Sequence, residues 1–258
     1  MTDNLLSGIP YGVKDNYSTK GILSTGSSNT LKDYVPFFDA TAIEKLNAAG
    51  AVKVNKTAMD EFGMGGTGTT GHTGIQLNPW DTTRICAGSS SGSAAAVAAG
   101  VYPYALGSDT GDSIRKPAAY CGIVGYKPTY GMISRYGLFP FASSLDHCGA
   151  LARSVRDVAI VVDTMKGIDK NDMFKLHSGE QHIVDEMVSW YNEIKAFIND
   201  EYVVNNINKL LTINNQVLTI LLYECDIIST NICDSILTCN YCNFVFVYKS
   251  TASTRRHS

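Results

Sequence analysis

Glycine and proline are concentrated in the first two thirds of this 258-residue chain. Of its 23 glycines, 22 lie in residues 1–170, and all 7 prolines lie at or before Pro140. Such frequent turn formers are typical of a domain of many short elements joined by tight turns. After about Lys170 the composition changes, and the chain becomes rich in Asn, Ile, Tyr and Cys. We therefore place a boundary near residues 168–175, between a domain of residues 1–172 and a tail of residues 173–258.

The composition excludes several classes of protein. Apolar residues make up 45% of the chain and charged residues 17%, which is enough apolar material for a sizeable core. The net charge of −3, without a long basic run, argues against nucleic-acid binding by this chain alone. No apolar stretch is long enough to span a membrane, and residues 1–14 do not have the pattern of a signal peptide. Because the 7 cysteines are irregularly spaced, we expect reduced thiols and a cytoplasmic protein.

Caps and apolar spacing predict helices and strands that alternate along the first domain. A capping box from Thr41 to Glu44 predicts a helix that ends at Gly50, and Ser154 is the expected cap of a helix ending at Gly167. Further helices are predicted at residues 93–99 and 113–120, and strands at residues 51–55, 101–106 and 123–126. This alternation predicts an α/β fold, with a sheet covered by helices.

Three segments are denser in serine and glycine than ordinary loops, namely residues 12–16, 87–93 and 107–115. Taken singly, each is more often a helix cap or a turn. Glycines before a helix start also allow backbone N–H groups to converge on an anion. A serine there can be a nucleophile if a base accepts its proton, and lysine is an established variant of the usual histidine. Lys14 can be that base only if burial keeps it neutral near pH 7.

In their order and spacing, the three segments resemble the amidase signature family. The sequence GIPYGVKDN at residues 8–16 is similar to the lysine segment of that family, and AGSSSGS at residues 87–93 to its Gly-Gly-Ser-Ser-Gly-Gly-Ser segment. The sequence DTGDSIR within residues 107–115 is similar to its Asp-Thr-Gly-Gly-Ser-Ile-Arg segment. Ser89 and Ser113 are 24 residues apart, which is the separation in that family. The resemblance covers about residues 5–172, and within the family it is greatest to the A subunits of glutamyl-tRNA(Gln) amidotransferases.

The resemblance implies a mixed β-sheet covered by helices on both faces, and a Ser-Ser-Lys triad. Ser113 would attack the carboxamide of glutamine, Ser89 would relay the proton next to a cis peptide bond, and Lys14 would be the final base. Backbone N–H groups around Thr110, Gly111, Asp112 and Ser113 would hold the oxyanion. Met64 and Thr110 are the expected lining of the substrate pocket.

The resemblance also implies partners. The ammonia would pass to a B subunit, which activates Glu-tRNA(Gln) with ATP and Mg²⁺ in a complex that also contains a C subunit. No cofactor or metal is expected on this chain itself, and no membrane contact.

Several positions depart from the family pattern. Asp112 stands where the family has glycine, and we expect its carboxylate to oppose the negative charge that develops beside Ser113. Ala87 and Ser91 also replace glycines. Family members extend further at both ends, so we interpret the chain as truncated, with a tail from Phe174 that is unlike the family. Apolar residues at 4-3-4-3 spacing predict a helix at residues 180–199 within that tail.

Other interpretations remain open at this point. Within the family, the chain could be a stand-alone amidase acting on small amides, or a catalytically inactive truncated fragment. A Gly-x-Gly-x-x-Gly match at residues 66–71 lacks the preceding strand of a dinucleotide site. The serine segment also fits a nucleophile elbow, but residues 82–87 make a poor strand and that interpretation leaves Lys14 and Ser113 unused. Cys239 and Cys242 form a lone CxxC, which is a weak zinc signal.

Overall fold

The computed structural model describes residues 4–172, together with Asn192 and the pair 244–245. The predicted helix at residues 180–199 and the CxxC of the tail therefore lie outside the described residues, apart from Asn192. The elements follow one another in chain order: β1 (Pro10–Lys14), α1 (Thr41–Ala48), β2 (Val52–Thr57), β3 (Leu77–Asn78), β4 (Asp81–Ile85), α2 (Ser91–Ala98), β5 (Tyr104–Asp109), α3 (Arg115–Cys121), β6 (Val124–Tyr126), β7 (His147–Ala152), α4 (Val155–Met165) and β8 (Phe244–Val245).

The sheet mixes parallel and antiparallel strands in the order β2-β1-β5-β7-β6-β8, and β3 and β4 form a separate hairpin. The neighbours β2, β1 and β5 are parallel, whereas β7 runs antiparallel to both β5 and β6. Since β1 and β5 are parallel neighbours, Lys14 at the end of β1 and the turn that follows Asp109 of β5 lie at the same, carboxyl end of the strands. Two of the three predicted site segments meet there.

Helices cover both faces of the sheet, as the family resemblance implied. The first core contains buried residues of α1 and α4, such as Ile43 and Val158, with Val13 and Leu106 of the strands. The second contains buried residues of α2 and α3 and the alternate strand residues, among them Ala105. The alternation of neighbouring strand residues between the two cores is what a sheet buried on both faces requires. The α/β fold with a mixed sheet is confirmed.

Several predicted element boundaries need correction. Thr41 is the first residue of α1 and Ala40 is its cap, because the amide of Glu44 donates to the carbonyl oxygen of Ala40 at 3.0 Å. The Thr41 hydroxyl is donated to the Asp169 carboxylate at 2.5 Å. Strand β5 runs three residues beyond its predicted end, because β7 pairs with it as far as Asp109. The cap at Ser154 is confirmed, since its hydroxyl oxygen accepts from the amide of Asp157.

Two paired glycines on adjacent strands, Gly107 of β5 and Gly149 of β7, leave room for Ile114 just before α3. A Cβ added to Gly107 would lie 2.8 Å from Cγ1 of Ile114, and one added to Gly149 would lie 2.7 Å from Cδ1 of the same residue. Real Cβ atoms essentially never approach another heavy atom so closely. The segment after Ser113 can therefore sit directly on the sheet only because these two side chains are absent.

In the part of the chain that the structure describes, no helix is long and apolar enough to cross a membrane. Cys86, Cys121 and Cys148 are free thiols, and all three are buried.

Candidate active site

Lys14 ends strand β1 and is completely buried. Its Nζ lies 2.7 Å from Oγ of Ser89 and donates a second hydrogen bond, of 3.2 Å, to the carbonyl oxygen of Ser108. Burial lowers the pKa of Lys14 to about 7, although the carboxylates of Asp109, Asp60 and Asp146 act in the opposite direction. An amine with this pKa is substantially neutral at physiological pH, and it can accept a proton there.

Ser89 lies in the tight turn that precedes α2. The peptide bond between Gly88 and Ser89 is cis, and Ala87 adopts a positive φ of 58°. The next residue, Ser90, donates its amide to the carbonyl oxygen of Ser113 at 3.1 Å and its hydroxyl to the carbonyl oxygen of Ser108 at 3.2 Å. These two bonds join the turn of Ser89 to both ends of the serine- and glycine-rich segment of residues 107–115. The backbone therefore places Ser113 beside the Lys14–Ser89 pair.

Exposure increases from the lysine outwards. Lys14 is 0% exposed, Ser89 1% and Ser113 6%. The residue that a substrate can reach most readily is thus Ser113, and Lys14 lies deepest. This order suits a proton path that leads inwards from a nucleophile to a base.

Asp109 fixes the turn that contains Ser113. Its buried carboxylate accepts the amide of Ile114 at 2.9 Å and the amide of Arg115 at 3.3 Å. It also forms an ion pair of 3.2 Å with the guanidinium of Arg115, which is 5% exposed. Since the carboxylate uses the N–H groups that open α3, Ser113 lies ahead of the helix and not within the predicted helix of residues 113–120.

The amides of this turn are available to a ligand. Within residues 4–172, no hydrogen bond is found to the N–H groups of Gly111, Asp112 and Ser113. Consecutive free N–H groups before a helix form an anion-binding concavity. This is the place where the sequence predicted an oxyanion site.

The other predicted site residues have more specific positions. The Thr110 hydroxyl is donated to the Asp146 carboxylate at 2.5 Å, so it anchors the turn to the loop before β7. Met64 is 55% exposed and follows the helical turn Glu61–Gly63. The Asp112 carboxylate forms an ion pair of 2.8 Å with Lys116, one turn further along. Its charge is therefore compensated within the protein, which the sequence interpretation did not foresee.

Asp60 is a buried residue that sequence reasoning missed. Its carboxylate accepts the amides of Thr67, Gly68, Thr69 and Thr70 at 2.9–3.1 Å, and its own amide donates to the carbonyl oxygen of Ser89 at 3.2 Å. Burial by itself raises the pKa of Asp60, but these hydrogen bonds outweigh it and hold the pKa below the ordinary value. The glycine-rich loop that matched the dinucleotide pattern is thus a loop folded around a carboxylate.

We expect Asp60→Asn to lower the free energy of unfolding by about 2–3 kcal/mol at neutral pH, because an amide nitrogen would face backbone donors that need an acceptor. The contribution of Asp60 is present above the unfolded pKa and is lost as the pH falls through the lowered folded pKa. Urea denaturation at pH 7 measures it. Asp81→Asn, in an exposed hairpin, is the control and should leave the midpoint unchanged. Equal midpoints for the two variants would contradict this role of Asp60.

The alternative motifs are placed as follows. Residues Asp81–Ile85 do form a strand, β4, but it is fully exposed and pairs only with β3, so the nucleophile-elbow geometry of a central strand is absent from the described residues. Among the described residues, no group of three or more metal-ligating side chains is found. Asp60 and Asp109 are identified by the backbone amides that their carboxylates accept, 5–10 residues further along the chain, which a single aspartate in a sequence does not show.

The sequence pattern of the family described as Amidase matches residues 1–195. The chain therefore belongs to the amidase family. The A subunit of glutamyl-tRNA(Gln) amidotransferase from Oenococcus oeni is 56% identical to it over 170 residues, which cover 66% of this chain and 35% of the relative. The corresponding A subunit from Geobacillus kaustophilus is 47% identical over 208 residues, covering 80% of this chain and 42% of the relative. The chain thus spans roughly two fifths of the length of these curated relatives.

Solved structures give the same fold. The A subunit of the glutamyl-tRNA(Gln) amidotransferase from Thermotoga maritima superposes with a TM-score of 0.66 at 49% identity, over 67% of this chain and 38% of that one. The peptide amidase of Stenotrophomonas maltophilia superposes with a TM-score of 0.66 at 37% identity, over 71% of this chain and 38% of that one. The family and the fold that the sequence segments implied are confirmed.

Proposed function

We propose that this chain is a glutamine-hydrolysing subunit of the glutamyl-tRNA(Gln) amidotransferase type, and that Lys14, Ser89 and Ser113 form its catalytic triad. The observation that carries the proposal is the buried 2.7 Å hydrogen bond between Nζ of Lys14 and Oγ of Ser89. The amide of the next residue, Ser90, holds the turn of Ser113 against this pair through the Ser113 carbonyl oxygen. The similarity to A subunits supports glutamine as the substrate.

In the proposed reaction, Oγ of Ser113 attacks the carboxamide carbon of glutamine. The Ser113 proton passes to Oγ of Ser89 as the Ser89 proton passes to Nζ of Lys14. The carbon–nitrogen bond then breaks, and the proton returns along the same path to the leaving group, which departs as ammonia. Water attacks the acyl-enzyme in the same manner and releases glutamate.

The turn after β5 stabilises the tetrahedral intermediate in this proposal. The N–H groups of Gly111, Asp112 and Ser113, which donate to no group within residues 4–172, would hold the negative oxygen of that intermediate. Each well-placed donor in such a site contributes about 3 kcal/mol to the transition state. Asp109 preserves this geometry by holding the following two amides.

The proposed partners are a B subunit, which uses ATP and Mg²⁺ to activate Glu-tRNA(Gln), and a C subunit. The chain itself needs neither nucleotide nor metal for amide hydrolysis by the triad. This proposal rests on the similarity to the A subunits.

The direct test is ammonia release from glutamine, measured for the chain alone and with B and C subunits of a related complex. We expect release from glutamine to exceed release from propionamide, which lacks the amino-acid end, at equal concentration. Equal rates on the two amides would favour a stand-alone amidase. No release from either amide, with or without the partners, would contradict the proposal and favour an inactive fragment.

The pH dependence of kcat/KM should follow Lys14. The pKa of Lys14 is lowered to about 7, and only the neutral amine accepts a proton. We therefore expect kcat/KM for glutamine to rise about tenfold between pH 6 and pH 8, with half of the maximum near pH 7. Initial rates of ammonia release in buffers of constant ionic strength measure it. A profile that is flat, or that falls over this interval, would show that a neutral Lys14 is not required.

A further inference from the structure

Asp112 and Lys116 form an ion pair at the mouth of the candidate site. Oδ2 of Asp112 lies 2.8 Å from Nζ of Lys116. The backbones of the same two residues are also joined, because the Lys116 amide donates to the Asp112 carbonyl oxygen at 2.8 Å. The two side chains are 41% and 28% exposed. They are therefore accessible from solvent but are not free surface groups.

The ammonium of Lys116 also lies against the glycine-rich loop that contains Gly66. A Cβ added to Gly66 would be 2.6 Å from Nζ of Lys116. The carbonyl oxygen of Gly66 accepts the amide of Gly88 at 3.0 Å, immediately before Ser89. Lys116 thus holds the Asp112 carboxylate between the turn of Ser113 and the loop that contacts the turn of Ser89.

The ion pair matters for the proposed reaction because Asp112 is next to the proposed nucleophile. Asp112 directly precedes Ser113 in the chain, and its N–H is one of the three proposed oxyanion donors. An unpaired negative charge there would repel the oxyanion that the proposed reaction forms. A paired carboxylate repels the oxyanion less, because the opposite charge 2.8 Å away offsets part of its field.

We propose that Lys116 is a positioning residue for this site: it fixes the Asp112 carboxylate against the Gly66 loop and cancels its charge beside the oxyanion. This inference rests on the proposed function. It assigns to Lys116 a role in the rate of the chemical step, and it explains how an acidic residue is accommodated directly before the nucleophile.

The test is a double-mutant cycle on glutamine hydrolysis with the full chain and its partner subunits. We expect Lys116→Met to lower kcat at least tenfold, with KM changed less than about twofold, because the oxyanion is present only in the transition state. Asp112→Gly is the reference background of the cycle, because it removes the carboxylate that Lys116 is proposed to compensate. In that background the further change Lys116→Met should alter kcat less than about threefold, because no carboxylate remains to be compensated.

The matched control is Lys166→Met. Lys166 forms an ion pair of similar exposure with Asp163 at the end of α4, away from the site, and its loss should not change kcat. Full activity of Lys116→Met would overturn the proposal. So would a loss of kcat from Lys116→Met in the Asp112→Gly background as large as in the parent, because that result would mean that the loss is structural.

A second measurement does not depend on activity. In NMR titrations of ¹³C-labelled lysine, Lys116→Met should raise the pKa of Lys14, because it removes a positive charge and leaves the Asp112 carboxylate unpaired, and the double variant should restore it. An unchanged Lys14 pKa in Lys116→Met would overturn the proposal. A parent chain that titrates as expected but releases no ammonia would contradict the proposed function alone.

Discussion

Ser113→Ala is expected to abolish ammonia release from glutamine, with a loss in kcat of at least about 10³-fold, while the protein remains folded. The variant removes the hydroxyl that is proposed to form the acyl-enzyme and leaves the methylene in place. Because Ser113 is held through its backbone carbonyl by the amide of Ser90, the turn should keep its shape. Initial rates of ammonia release and a thermal melt by circular dichroism measure the two effects.

Ser91→Ala is the matched control for that experiment. Ser91 is also a buried serine of the same cluster, but its hydroxyl is donated to the side chain of Gln76 at 2.9 Å. We expect it to retain activity within about threefold of the parent. If Ser113→Ala were as active as Ser91→Ala, another nucleophile would have to be sought.

Lys14→Met is expected to reduce kcat to a similar degree, by about 10³-fold or more, because no other base lies on the proposed proton path. Methionine keeps the length and the apolar stem of lysine, so the buried space remains filled. Added primary amines of small size do not reach a fully buried position readily, so we expect little chemical rescue. A variant that keeps most of its activity would exclude Lys14 as the base.

The pH dependence of the free energy of unfolding shows whether Lys14→Met is inactive because it lacks the base or because it is unfolded. The pKa of Lys14 is about 7 in the folded chain and near 10.4 in the unfolded chain, so the unfolded state binds more protons between these values. Lys14 therefore makes the parent increasingly stable as the pH rises from 7 towards 10. Lys14→Met lacks this dependence, and it should be at least as stable as the parent at pH 6. Urea midpoints at pH 6 and pH 9 measure the difference.

The parts of the site that carry local sequence patterns could be predicted. The order and spacing of the segments around Lys14, Ser89 and Ser113 indicated a common site, and the structure joins them by short hydrogen bonds. The α/β fold followed from alternating caps and apolar runs. The helix from Ser154 was correct in detail because its cap is local, with the side chain and its backbone partner three residues apart.

What the sequence could not show depends on contacts between distant residues. The last residues of β5 have the composition of a turn, but β7 pairs with them from about 40 residues further along the chain. Asp60 and Asp109, by contrast, accept backbone amides only 5–10 residues further along the chain, but no residue pattern marks those amides, because every residue except proline carries one. The pair of Asp112 and Lys116 was different, because its i,i+4 spacing is visible in the sequence. A charge count around the predicted nucleophile would have found it.

The two glycines under Ile114 determine how closely the segment after Ser113 packs on the sheet. Neither Gly107 nor Gly149 is a proposed participant in the reaction, yet both leave room for the residue that follows Ser113. In a selection from random libraries, these two positions should tolerate no other amino acid, as strictly as the reacting residues themselves.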